Sequence, residues 1–223
     1  RKKGTLDSDE EIILDQNILA DGKDYFAVGG WSVSPNNEWL AYSTDYVSRR
    51  IYTVHFKNLL TGETIQNAIS NSSGSVAWAN DNRTVFYTSK NDVTLLSEKI
   101  WRHKLGSDSK SDEMVYHEKD DTFYSGVYRS KSGDYIIIYN VSTLVSDFHI
   151  LNADKPDGDF VNFSPREKEH EYSIDHYQDK FFIISNWDAK NNRLMETSET
   201  KTSKKYWKEV IPHRDDVHLL DME

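Results

Sequence analysis

Four stretches of this chain share one design, a polar turn followed by a short run of aromatic and β-branched residues. They are Asn37-Glu-Trp-Leu-Ala-Tyr-Ser43, Asn82-Arg-Thr-Val-Phe-Tyr-Thr88, Gly133-Asp-Tyr-Ile-Ile-Ile-Tyr139 and Asp179-Lys-Phe-Phe-Ile-Ile-Ser185. The turn residues Asn37, Asn82, Gly133 and Asp179 stand 45, 51 and 46 residues apart. A second landmark keeps step with the first. Strand-like runs begin near Ile51, Ile100, Asp147 and Arg193, which follow the turn residues by 14, 18, 14 and 14 positions. A period of this length holding several short strands is the signature of a β-propeller, with one four-stranded sheet per blade.

Each repeat then divides into four strands separated by Asn, Asp, Gly and Ser, as hairpins require. The predicted strands are 27–35, 38–44, 51–57 and 64–70 in the first unit, and 75–79, 84–89, 100–105 and 113–117 in the second. The third has 123–130, 135–140, 147–151 and 160–164, and the fourth 171–177, 180–186, 193–198 and 207–211. The second strand of each unit is apolar at nearly every position, the pattern of a strand covered on both faces. The fourth strands alternate more and belong at the outer rim. Helical periodicity is confined to a weak run at 94–99.

The two ends do not complete the pattern. Residues 10–16 read as the last strand of a preceding blade, and residues 217–223 as the first strand of a following one. Blades are expected at 25–70, 74–118, 122–165 and 170–213. The fold class is therefore all-β: a partial propeller of about four antiparallel four-stranded blades, part of a larger ring. Open strand edges invite pairing, so self-association is expected.

Composition narrows the function. Tyr 13, Phe 9 and Trp 6 amount to an aromatic load that disordered chains lack. The net charge of −10 opposes nucleic acid or an anionic membrane as the main partner. With Cys 0 there is no disulfide, thiolate metal site or cysteine nucleophile. No apolar run approaches the length of a membrane span. No signal peptide follows Arg1-Lys2-Lys3-Gly4, so a cytoplasmic location is expected. A missing native N-terminus would leave a periplasmic one open.

Several strings run in an order that resembles the oligopeptidase B (protease II) branch of the prolyl oligopeptidase family of serine peptidases. They include Glu11-Ile-Ile-Leu-Asp-Gln-Asn17, Ser48-Arg-Arg-Ile-Tyr52, Trp78-Ala-Asn-Asp81, Glu118-Lys-Asp-Asp-Thr-Phe-Tyr124 and His170-Glu-Tyr-Ser173. The resemblance implies the middle of a seven-bladed N-terminal propeller that covers an α/β-hydrolase catalytic domain lying outside this chain. It also implies short peptides, cut after Arg or Lys, as substrates of the intact enzyme. An acidic chain would attract such cationic peptides. The competing reading is an independent propeller used as a binding or scaffold module, since blades alone do not set function.

Catalytic chemistry is not visible in the residues. A serine hydrolase of this kind needs a Gly-x-Ser-x-Gly elbow, and the nearest strings, Gly30-Trp-Ser32 and Ser73-Gly-Ser75, lack the second glycine. His170 and His176, flanking Glu171 and Asp175, would sit on one strand roughly 20 Å apart, too far to converge on a metal. No catalytic, cofactor or metal residue is assigned. The second-to-third-strand loops 44–50, 90–99, 141–146 and 187–192 should share one face. Arg49 and Arg50 lie in the first of them, and Arg50 is the candidate to reach a carboxylate on the catalytic domain, with Asp24 a second seam residue. The bland alternative is a pair of solvated loop cations, since exposed pairs contribute only about 0–1 kcal/mol.

Overall fold

The computed structural model describes residues 1–222, and among these the regular structure is almost entirely antiparallel sheet. The first sheet contains β1 (Ala27–Val33), β2 (Trp39–Asp45), β3 (Tyr52–Asn58), β4 (Ile69–Trp78), β5 (Thr84–Lys90), β6 (Ser97–Lys104) and β7 (Glu113–His117), side by side in chain order. The second is built from β8 (Tyr124–Arg129), β9 (Tyr135–Val141), β10 (Ser146–Asn152) and β11 (Val161–Asn162). The third is built from β12 (Tyr172–Tyr177), β13 (Lys180–Ser185), β14 (Arg193–Ser198) and β15 (Lys208–Ile211).

The repeat is visible in the turns. Each unit's first hairpin bends through a residue at positive φ: Asn37 (62°), Asn82 (59°), Gly133 (81°) and Gln178 (56°). Asn and Gly are the residues that adopt this left-handed backbone most readily. In the fourth unit Gln178 carries the turn, one position before the Asp179 singled out from the pattern.

The strands predicted to be covered on both faces are covered. In β9 the three consecutive residues Ile136, Ile137 and Ile138 are each fully buried. Ile136 and Ile138 point into one cluster with Phe86 and Ile100, while Ile137 points into another with Phe181 and Ile183. A third cluster joins Phe56 and Val54 to Trp78 and Val85. Each cluster draws on two successive units, so the core is a series of layers between units. Burying one such side chain contributes about 1.5–3 kcal/mol. Strand β15 is exposed at every position, where alternation is expected of a fourth strand at the rim.

Four other expectations change. The first two units do not form separate sheets. Strand β4 pairs with β3 through Ile69 and Ser72, then with β5 through Val76, Ala77 and Trp78, so one strand replaces the predicted 64–70 and 75–79. The register breaks between Ser72 and Val76, at Gly74, whose φ is +107°. A Cβ there would stand 2.9 Å from the Tyr52 ring, so the shift needs glycine. Residues 10–16 are not a strand: Glu10 makes only an isolated bridge to Lys2, and Asp15 caps the short helix α1 (Gln16–Ala20). The Asp15 carboxylate accepts from the Asn17 and Ile18 N–H groups, which favours a helix start over extension. Residues 217–222 are not a strand either, since Val217 only bridges Arg214; Glu223 lies outside the described residues. The weak helical run at 94–99 is instead a loop over 94–96, with Leu95 at φ 62°, and then the start of β6.

Candidate docking face

Successive hairpins point to opposite ends of a sheet. The loops between second and third strands therefore share one end, together with the crossovers from one unit to the next. The first of these loops hangs on a buried carboxylate. Asp45, at the end of β2 and 1% exposed, accepts from the Val47 N–H at 2.8 Å and the Arg50 N–H at 2.7 Å. The two bonds wind the loop so tightly that Ser48 and Arg50 both take positive φ, 60° and 54°. Arg49 and Arg50 are exposed, and neither side chain makes an ion pair or hydrogen bond among the described residues.

Arg50 also faces a second cation. Lys90, at the start of the next such loop, is held below the usual lysine range by burial first and by the Arg50 charge second, with Asp45 opposing. Asp24 reaches the same end, because Ala27 at the head of β1 pairs with Asp45. Its neighbour Lys23 places its ammonium over the Tyr46 ring at 5.6 Å. The structure thus brings Arg49, Arg50 and Asp24 to one face. It adds Lys90, which the sequence reading missed and which only the pairing of adjacent units reveals.

This face carries apolar residues at its loop tips. Val47 is 66% exposed, Val93 90% and Leu144 54%, one on each of three successive loops. Between the third and fourth loops lies a groove of about 400 Å³ lined by Val141, Val145, Glu171, Ile184, Lys190 and Leu220, among others.

His170 and His176 are used structurally. His170 contacts the Ser185 hydroxyl at 2.9 Å, whereas His176, wholly buried, contacts Ser132 Oγ at 2.8 Å through Nδ1. His176 Nε2 lies 2.9 Å from Glu199 Oε1 but out of line for a hydrogen bond. This places a serine, a histidine and a carboxylate in a row. Ser132 Oγ also accepts from the Asp134 N–H, and the Gly133 N–H is bonded to Ser130 O. Among the described residues no cluster of three or more His, Asp or Glu is placed to hold a metal ion, and no helix is long and apolar enough to cross a membrane.

Comparison with known proteins places this architecture. Dipeptidyl aminopeptidase BI of Pseudoxanthomonas mexicana is 41% identical over 215 residues, covering 96% of this chain and 30% of that protein. Protease 2 of Moraxella lacunata is 31% identical over 229 residues, covering 97% of this chain and 33% of that protein. Among solved structures, oligopeptidase B from Leishmania major superposes with a TM-score of 0.89 at 26% identity, over 99% of this chain and 31% of the other. Oligopeptidase B from Trypanosoma brucei, in a closed form with covalently bound antipain, gives 0.85 at 29% identity, over 98% and 31%. The chain thus spans about a third of the length of the curated relatives it matches. Residues 1–223 match the family described as prolyl oligopeptidase, N-terminal beta-propeller domain. Layered antiparallel sheets, the repeated turn and this match agree: the chain belongs to the prolyl oligopeptidase family, in its N-terminal β-propeller domain.

Proposed function

We propose that this chain is the non-catalytic, substrate-gating propeller part of a serine endopeptidase of the oligopeptidase B kind, which cuts short peptides after Arg or Lys. In this reading residues 25–70, 74–118, 122–165 and 170–213 are four blades of seven, and an α/β-hydrolase domain of the same polypeptide docks on the face described above. The observation that carries it is the face itself. Exposed apolar tips at Val47, Val93 and Leu144 beside the unpaired cations Arg49 and Arg50 are what a surface buried in a larger molecule presents. Arg50 then reaches a carboxylate across the seam, with Asp24 a second contact. The peptidase relatives weigh against an independent scaffold module.

A second reading, release of dipeptides from free N-termini, has the 41% identity to dipeptidyl aminopeptidase BI in its favour. The full-length polypeptide decides between them. An N-blocked fluorogenic arginyl peptide should be cut, and a free-amine dipeptidyl substrate cut no faster; the reverse order supports the second reading. Arg50→Ala should lower kcat/KM and weaken its dependence on salt, because an ion pair across the seam is screened. Unchanged kinetics would remove Arg50 from the seam.

A further inference from the structure

One arginine on this face is engaged in a way that Arg49 and Arg50 are not. Arg166 lies in the crossover between β11 and β12. Its Nε donates to Asp147 Oδ2, and an NH2 group donates to Glu118 Oε2. Its guanidinium stacks 3.8 Å over the Phe123 ring. The two carboxylates come from different places: Glu118 opens the crossover from β7 to β8, and Asp147 follows the 142–145 loop that displays Leu144. Glu118 is 8% exposed and Asp147 2%.

Every carboxylate oxygen in the cluster is satisfied. Glu118 Oε1 accepts from the Asp120 N–H at 3.0 Å, and Oε2 also takes the Tyr116 hydroxyl at 3.2 Å. Asp147 Oδ1 accepts from Asn140 Nδ2 at 2.8 Å and has His149 Nε2 at 3.3 Å. Asn140 is held in turn by Ser125 Oγ at 2.6 Å. A polar network this complete is rigid, and removing its arginine leaves two buried carboxylates without the guanidinium they share. Next to it, Ser146 Oγ donates to Tyr172 O and its N–H to His170 O, so the same loop is also pinned to the fourth unit.

We propose that Arg166 is a positioning residue of the docking face: by gripping Glu118 and Asp147 together it fixes the 142–145 loop and both crossovers in the shape that meets the catalytic domain. The inference rests on the peptidase reading and deepens it. The buried carboxylates are held by one planar fork, which a lysine ammonium cannot reproduce. Arg166 therefore acts through the shape of the face and does not touch substrate.

The test uses the full-length polypeptide and the N-blocked arginyl peptide. Arg166→Met should lower kcat/KM about tenfold or more, the scale expected for misplaced catalytic parts. Arg166→Lys should fall between Arg166→Met and the parent. Ile137→Val, a core change in the same unit, serves as the stability control and should leave kcat/KM within about twofold at temperatures where it is folded. If Arg166→Met does not accumulate, the triple variant Glu118→Gln, Asp147→Asn, Arg166→Met neutralises the cluster and carries the same expectation. The proposal is overturned if Arg166→Met, or its neutral triple, keeps kcat/KM within that margin, or if Ile137→Val loses activity to the same extent. Leu144→Asp separates the two levels. Silence there sinks the docking reading itself, whereas a response to Leu144→Asp beside a silent Arg166→Met sinks only the role of Arg166.

Discussion

Replacing Asp45 by alanine should loosen the loop that aims Arg50, and the size of the effect follows from two bonds. Its buried carboxylate accepts two backbone N–H groups, from Val47 and Arg50. A hydrogen bond to a charged group contributes about 1.5–3 kcal/mol net. Two of them would give about 3–6 kcal/mol, but removing Asp45 also relieves the burial of a charge. The loop's N–H groups lie near solvent and regain water. A net loss of about 2–3 kcal/mol remains, which for a chain of this length lowers Tm by roughly 2–4 °C per kcal/mol.

Asp45→Asn should recover little of this. The amide keeps the volume but offers one oxygen, and its NH2 group then points at a backbone donor. Urea unfolding of the variants gives the stability change. Amide hydrogen exchange gives the local one, with protection at the Val47 and Arg50 N–H groups lost selectively while β2 and β3 stay protected. The positive φ values of Ser48 and Arg50 make the outcome sharp, because left-handed backbone costs about 1–2 kcal/mol per non-glycine residue and relaxes once its restraint is gone. Should Asp45→Ala unfold within about 0.5 kcal/mol of the parent, the size of a neutral surface change, and keep Arg50 N–H protection, the carboxylate does not hold the loop.

Two further outcomes follow from burial. His170 is held below the ordinary histidine range by burial first and then by the Lys204 charge. The unfolded chain therefore takes up its proton more readily, and stability should fall as pH drops below about 6.5. His170→Gln should flatten that fall between neutral and mildly acid pH in urea midpoints, and an unaltered slope would assign it to other groups such as His55. Gly126 pairs with Tyr139, and a Cβ on Gly126 would sit 2.2 Å from the phenol ring. Gly126→Ala should cost about 1–3 kcal/mol by overpacking, and adding Tyr139→Ala should cost less than the sum of the two single changes; strict additivity would mean that the ring is not the obstacle.

Much of the fold was legible because the sheet repeat is written twice, in the turn residues and in the doubly buried second strands. Asn37, Asn82 and Gly133 mark the turns since few other residues adopt left-handed backbone cheaply. The run Ile136-Ile137-Ile138 marks burial on both faces. What failed lies where local signals compete. The apolar run Ile12-Ile13-Leu14 reads as part of a strand over 10–16, whereas the Asp15 carboxylate, accepting two backbone N–H groups, starts a helix there. Residues 64–79 contain runs suited to two strands, but only the pairing of β4 with both β3 and β5 shows that one continuous strand, Ile69–Trp78, serves both.

The face shows a different limit. Arg49 and Arg50 stand out in sequence because they are adjacent and sit in a predicted loop, and that signal holds for any exposed dibasic pair. Arg166 gave no such signal: Glu118, Asp147 and Arg166 are separated by 29 and 19 residues and meet only because each lies at the same end of its sheet. The physical contrast between them runs opposite to their visibility. An exposed arginine contributes energy only when something docks on it, whereas one that holds two buried carboxylates is needed before anything can dock. On that argument the residues that shape this face are its least conspicuous ones. Arg166→Met should therefore disturb docking more than Arg49→Ala, even though both arginines lie at the surface.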